Sequence, residues 1–215
     1  IIFESGRVMD LSKTMMDDER IYANQRRHGI KLDIGAISQN YMFIVYEEAI
    51  NPSSSWEAGA LFVGAGYENQ NGWNDPERAM GAGLYGGFKF KRSPNFYMQR
   101  MRYGHIMRGS YIKPNLMITT FNYDRIDYDH PPDPVTFMYP TTRETAFAGA
   151  AMLEFGNQLV LSEQLMVEYS AGFGYGFTTK QAYWNYSNYG FSGGIGTDLA
   201  PYVWNFGLKV GYLMK

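Results

Sequence analysis

The chain has no cysteine, only three histidines, no surplus of positive charge and no long apolar run. Without cysteine there is no disulfide framework, thiol nucleophile or lipid-modified cysteine. A formal net charge of −2 argues against a nucleic-acid-binding surface. No stretch approaches the roughly 18 apolar residues of a transmembrane helix. No signal-peptide pattern opens the sequence at Ile1, as expected of a mature, trimmed chain or of one never exported.

What is abundant is aromatic and small: 18 Tyr, 14 Phe and 24 Gly among 215 residues. That mixture suits strands that place rings on one face and leave room on the other. The closing stretch, Tyr202 to Lys215, shows the pattern most plainly. Tyr202, Trp204, Phe206, Leu208, Val210, Tyr212 and Met214 alternate with Asn205, Gly207, Lys209, Gly211 and Lys215. Only Val203 and Leu213 break the rule. A period of two with large rings on one face and Lys and Gly on the other is the polarity of a membrane barrel, greasy outside and polar inside.

The same alternation recurs upstream. Strands are expected at 29–37, 41–49, 56–67, 80–90, 109–121, 145–160, 165–177 and 202–215. In 165–177 the outward set includes Leu165, Val167, Tyr169 and Phe173, against Glu168 and the glycines. The facing of 56–67 is ambiguous, and 41–49 is apolar on both faces. Pro114 removes a ladder hydrogen bond from its strand, so a bulge is expected there. Residues 1–28 lack alternation and read as a short helix or irregular arm. The expected architecture is all-β: an eight-stranded antiparallel transmembrane β-barrel over 29–215, with a short N-terminal periplasmic arm over 1–28.

The chain resembles the small outer-membrane β-barrel proteins of Gram-negative bacteria, of the OmpX and OmpA-transmembrane-domain type, in a poorly characterised branch. The likeness rests on Tyr46-Glu47, on Gly109-Ser110-Tyr111-Ile112-Lys113-Pro114, on Phe155-Gly156-Asn157-Gln158 and on Gly207-Leu208-Lys209-Val210-Gly211-Tyr212. It implies an outer-membrane location with both termini in the periplasm. Two departures stand out: the chain ends Met214-Lys215 rather than on an aromatic residue, and the connection after the fourth strand is long. No peptidoglycan-binding domain follows the barrel.

The alternation projects Lys31, Asp33, Lys89, Lys113, Glu154, Glu168 and Lys209 inward, with Glu47 and Glu57 by less certain facing. Unpaired charge in a low-dielectric interior costs several kcal/mol, so a paired network is expected, and a filled interior does not conduct. The outward set, Trp204, Phe206, Leu208, Val210 and Tyr212 with the four residues named in 165–177, is expected to meet lipid. The connection 91–108, with Arg92, Arg100, Arg102 and Tyr103, reads either as a headgroup-layer segment or as a contact for a partner. The histidines, His28, His105 and His130, read as surface residues. The acidic loop 127–133 is the one enzyme-like constellation, and lone His130 is flanked by proline. No cofactor, metal or catalytic set is expected. The leading expectation is a non-enzymatic structural or accessory subunit of a larger outer-membrane complex, in contact with lipid and with another outer-membrane or periplasmic protein. The alternatives are a rim-located hydrolase of peptides or lipids using 127–133, and a narrow pore.

Overall fold

In the computed structural model the described residues are 2–4, 7–9, 24–65, 77–92, 105–127, 130–134, 139–161, 164–179, 189–193 and 201–214. Two short strands, β1 (Ile2–Glu4) and β2 (Arg7–Met9), pair antiparallel with each other. This part of the arm is therefore a hairpin, where a helix or irregular segment was expected.

The ring strands follow as β3 (His28–Asp33), β4 (Tyr41–Asn51), β5 (Ser54–Val63), β6 (Glu77–Lys91), β7 (Gly109–Ile126), β8 (Thr141–Leu161), β9 (Leu165–Thr178) and, after the two-residue β10 (Ser192–Gly193), β11 (Tyr202–Met214). Each pairs antiparallel with the next, and β11 pairs with both β9 and β3. The eight long strands thus form one antiparallel sheet that closes in a ring. Its tight turn at Pro52-Ser53, the connection from β6 to β7, the turn before β9 and the end of β11 share one end, here called the turn end. The opposite end, where β3–β4, β5–β6, β7–β8 and β9–β11 are joined, is here called the loop end.

Register makes the alternation physical. Lys209↔Glu168, Lys209↔Asp33, Lys31↔Val45, Glu47↔Glu57 and Lys113↔Glu154 are ladder partners, so their side chains all lie on the inner face. The same register resolves β4 and β5, whose sequences were ambiguous. Tyr41, Phe43, Val45 and Glu47 of β4 and Glu57 and Leu61 of β5 are buried inside. Val203 and Leu213, the two exceptions in the closing stretch, point inward and are also buried.

Several boundaries differ from the sequence reading. The first strand stops at Asp33, and Ile34–Ile37 forms one helical turn, α1. Asp33 ends the strand because its side chain caps that turn: Oδ1 accepts from the amides of Gly35 (3.0 Å) and Ala36 (3.3 Å). Ala36 is buried against the interior, whereas Ile34 and Ile37 face outward, so α1 continues the wall as a short helical patch. Asn40, at φ 60°, then turns the chain into β4 and accepts the Gly64 amide through its carbonyl. The third strand ends at Val63 rather than Tyr67. Pro114 makes no bulge: pairing steps from Gly87↔Asn115 to Phe90↔Ile112 in phase, and Pro114 faces Leu153 on the other side. Strands β7 and β8 reach 18 and 21 residues, longer than expected, because their ladder extends past the ring wall toward the loop end.

The interior is layered along the axis. At the turn end Ala49, Ile106, Met107, Met166 and Leu213 form an apolar plug. At the loop end a larger aromatic cluster includes Tyr41, Phe43, Tyr85, Phe121, Tyr189 and Phe191. Tyr189 packs edge-on against both Tyr41 and Phe121, and its carbonyl accepts from Thr119 Oγ1 at 3.2 Å. Gly190, at φ +108°, lets the chain turn beside Met117. Between the two apolar layers lies the charge.

Candidate functional site: a buried lysine–carboxylate network

Among the described residues, five lysines and five carboxylates are buried inside the ring: Lys31, Lys89, Lys91, Lys113 and Lys209 with Asp33, Glu47, Glu57, Glu154 and Glu168. Formal charge is therefore balanced. Each lysine arrives on a different strand from the carboxylates it meets, so the contacts cross the interior rather than run along one ladder.

Lys31 Nζ sits among three glutamates, 2.7 Å from Glu47, 2.6 Å from Glu168 and in contact with Glu57. Lys89 shares all three, at 3.0 Å from Glu47 and 2.7 Å from both Glu57 and Glu168. Lys113 bridges Glu57 (2.8 Å) and Glu154 (2.9 Å). Lys209 is more loosely held, at 3.5 Å from Glu154 and Glu168. Lys91 joins at the turn end, 3.4 Å from Glu47, and donates to the Ile106 carbonyl at 3.2 Å. Neutral groups occupy further lone pairs. Tyr111 donates to Glu168 (2.6 Å), Ser55 to Glu47 (2.6 Å), Tyr85 to Glu57 (3.1 Å) and Asn115 to Glu154 (3.1 Å). The Tyr111 ring lies under Lys89 at 4.3 Å, adding a cation–π contact.

The carboxylates of Glu47, Glu57 and Glu168 converge within 4.8 Å, a spacing that a hard divalent cation accepts. Here the ammonium groups of Lys31 and Lys89 stand among those oxygens. The positive charge at the centre is supplied by the chain itself. These charges are held out of water, and each lysine faces at least one carboxylate.

The sequence-derived inward set is thus brought together, with one qualification. Asp33 is buried beside Lys209, yet its carboxylate serves the α1 cap and the Leu208 amide. Lys91 was missed, since it was read as the first residue of a connection rather than the last of a strand. Gln158, Tyr85, Tyr111 and Asn115 lie on the inner parity of their strands and were not among the named candidates. Lys91 shares parity with Lys89, and that signal could have found it. Trp204, Phe206, Leu208, Tyr212, Leu165, Tyr169 and Phe173 are exposed on the outer face, and Val167 and Val210 are half-buried there.

The remaining candidates lie apart from this network. Arg92 is exposed, while Arg100, Arg102 and Tyr103 fall outside the described residues. The end of their connection does not lie at the surface as expected: Ile106 and Met107 turn inward as the plug, tied by the Ile106 amide to Gln25 Oε1 at 2.7 Å. His28 and His105 are half-buried rather than surface residues. His28 Nδ1 meets the Tyr46 hydroxyl at 2.7 Å, and His105 Nδ1 accepts the Met107 amide at 3.1 Å. In the acidic loop His130 Nδ1 lies 2.8 Å from Asp127, with the His130 side chain 71% exposed. Solvent screens such a pair.

No protein-family model, no curated protein and no solved structure matches this chain.

Two outcomes follow from the interior. Replacing Glu168 by Leu leaves five lysines against four carboxylates and takes a close partner from both Lys31 and Lys89. The cost is about 3–5 kcal/mol, the range for breaking a buried pair. It is measured as a lower temperature for the heat-induced mobility shift on gels, and an unchanged temperature would mean that Glu168 is solvated. The second concerns His105. Burial, with Lys91 and Arg26 nearby, pushes its imidazole down to about 4 from the usual 6.5. The folded chain therefore binds fewer protons here than the unfolded chain does. This contribution to stability is full above about pH 6.5 and is lost as pH falls toward about 4. A His105→Gln variant should lack that component, so parent and variant melting curves converge at low pH. Curves that stay parallel across the window would refute it.

Proposed function

We propose that this chain is a transmembrane β-barrel of the bacterial outer membrane, similar to the small eight-stranded barrels of the OmpX and OmpA-transmembrane-domain type. Its role on this reading is structural: a non-conducting, non-enzymatic scaffold or accessory subunit. The observation that carries the reading is the inverted polarity of the ring. Phe206 is 74% exposed, Leu116 65%, Leu84 63% and Phe173 61%, while five lysines are buried. In water such an outer face would be a large adhesive patch. In hydrocarbon it is the favourable face, and a closed ring leaves few backbone groups unpaired there.

The scaffold reading is supported by what fills the axis. A balanced charge layer lies between two apolar plugs, so an ion entering from either end meets packed side chains before it meets charge. The chemistry has nowhere to act inside. Partners would then be lipid along the wall and another outer-membrane or periplasmic protein at the ends, with both chain termini on the periplasmic side.

Two measurements test this. Leu208→Arg places a guanidinium on the outer face, at a cost of roughly 2–4 kcal/mol near the hydrocarbon midplane. Asn205→Arg, on the inner parity and half-exposed, should be tolerated far better in detergent-dependent folding and membrane insertion. Equal tolerance, or folding of the parent without detergent or lipid, would sink the membrane reading. In planar bilayers the parent should give no steady single-channel conductance. A reproducible open level would replace the scaffold with a pore.

A further inference from the structure

Toward the loop end, just beyond the tightly paired layer, the inner face of β9 and β11 becomes small. Ser170, Gly172 and Gly174 of β9 lie beside Asn205 and Gly207 of β11, with Ser170↔Gly207 and Gly172↔Asn205 as ladder partners. Asn205 and Gly207 remain half-exposed although they face inward.

Among the described residues three buried side-chain atoms have no hydrogen-bond partner: Asn115 Oδ1, Ser170 Oγ and Asn205 Oδ1. They are neighbours. Asn115 Nδ2 donates to Glu154 Oε2 at 3.1 Å, Glu154 pairs with Gly172 across the β8–β9 ladder, and Asn205 Oδ1 lies over Gly172 where a Cβ would stand. A Cβ on Gly207 would lie 2.9 Å from Ser170 Oγ, 3.1 Å from Lys209 Nζ and 3.2 Å from Asp33 Oδ2, so two further polar groups share the wall with Ser170. Ser170 and Asn115 are only 8% and 4% exposed. Because the Asn115 amide NH₂ is committed to a carboxylate, its free atom is an acceptor.

We infer that this niche is a binding site for structural water, held between Asn115 Oδ1, Ser170 Oγ, Asn205 and Lys209. The ligand must donate to the Asn115 oxygen and accept from Lys209, whose two ion pairs are both long, at 3.5 Å. An anion there would face Asp33, Glu154 and Glu168. A metal cation would face Lys209 and Lys113. An apolar occupant would leave the orphaned atoms unpaired, each at the cost of its desolvation. Water, with two donors and two acceptors, fits all of them, and two to four polar partners are what a buried water requires. The axial plugs on either side make exchange with bulk slow.

The test uses the folded parent chain in detergent micelles. Water-selected NMR should show direct cross-relaxation from long-lived water to the Ser170, Gly172 and Asn205 amides, and not to those of the apolar plug such as Leu61. Asn205→Leu, which fills the niche with an apolar side chain, should abolish those cross-peaks while the rest of the spectrum keeps the parent's dispersion. Absence of cross-relaxation in the parent overturns the inference, whether or not the variant folds. Cross-peaks that persist unchanged in a folded Asn205→Leu overturn it as well.

Discussion

Everything inside the ring depends on neutralising five buried lysines. An ammonium removed from water is costly unless a carboxylate stands against it, and the pair repays that cost only when remaining lone pairs and protons are also bonded. The network meets both demands. Lys31 and Lys89 share Glu47, Glu57 and Glu168, and Tyr111, Ser55 and Gln158 take up other positions around them. The strand order, the register and the plugs can be understood as the framework that brings these side chains together and keeps solvent from their ends.

Much of the ring was legible from alternation alone, because a period of two fixes which side chains share a face once a strand is recognised. β9 and β11 show this best, since Glu168 and Lys209 sit among glycines on one parity and rings on the other. Alternation fails where both faces are apolar. In β4, Phe43 and Val45 line the loop-end cluster while Met42 and Ile44 face out, so hydrophobicity carries no phase, and only the register against Lys31 and Glu57 assigns it. It also fails where a side chain competes with the backbone. Asp33 holds inward parity like a strand residue, yet its carboxylate draws in the next amides and turns the wall helical.

The plugs were not legible. Ile106 and Met107 sit in a stretch whose arginines and rings suggested an interface, and Tyr189 and Phe191 lie in a loop rich in glycine and tyrosine. Nothing local marks them as interior residues. Their burial is decided by the width of the ring opening, which emerges only when eight strands have closed. The same holds for Lys91, which belongs to the interior because β6 extends one residue further than its last ring suggests.

The shortest strand of the ring also carries an ammonium paired with three carboxylates. β3 offers only six ladder partners to β11 and six to β4, whereas β9 and β11 share eleven. Judged by backbone alone, β3 would be the first stave to come loose. Lys31 lies at its centre, however, and reaches Glu47, Glu57 and Glu168 only when β3 is seated between its neighbours. Closing the circle and neutralising the middle of the molecule are therefore a single cooperative event. A wall without β3 would lose one of the two lysines that those three acids share, so seating that strand does not merely seal a cylinder but completes the charge balance at its centre.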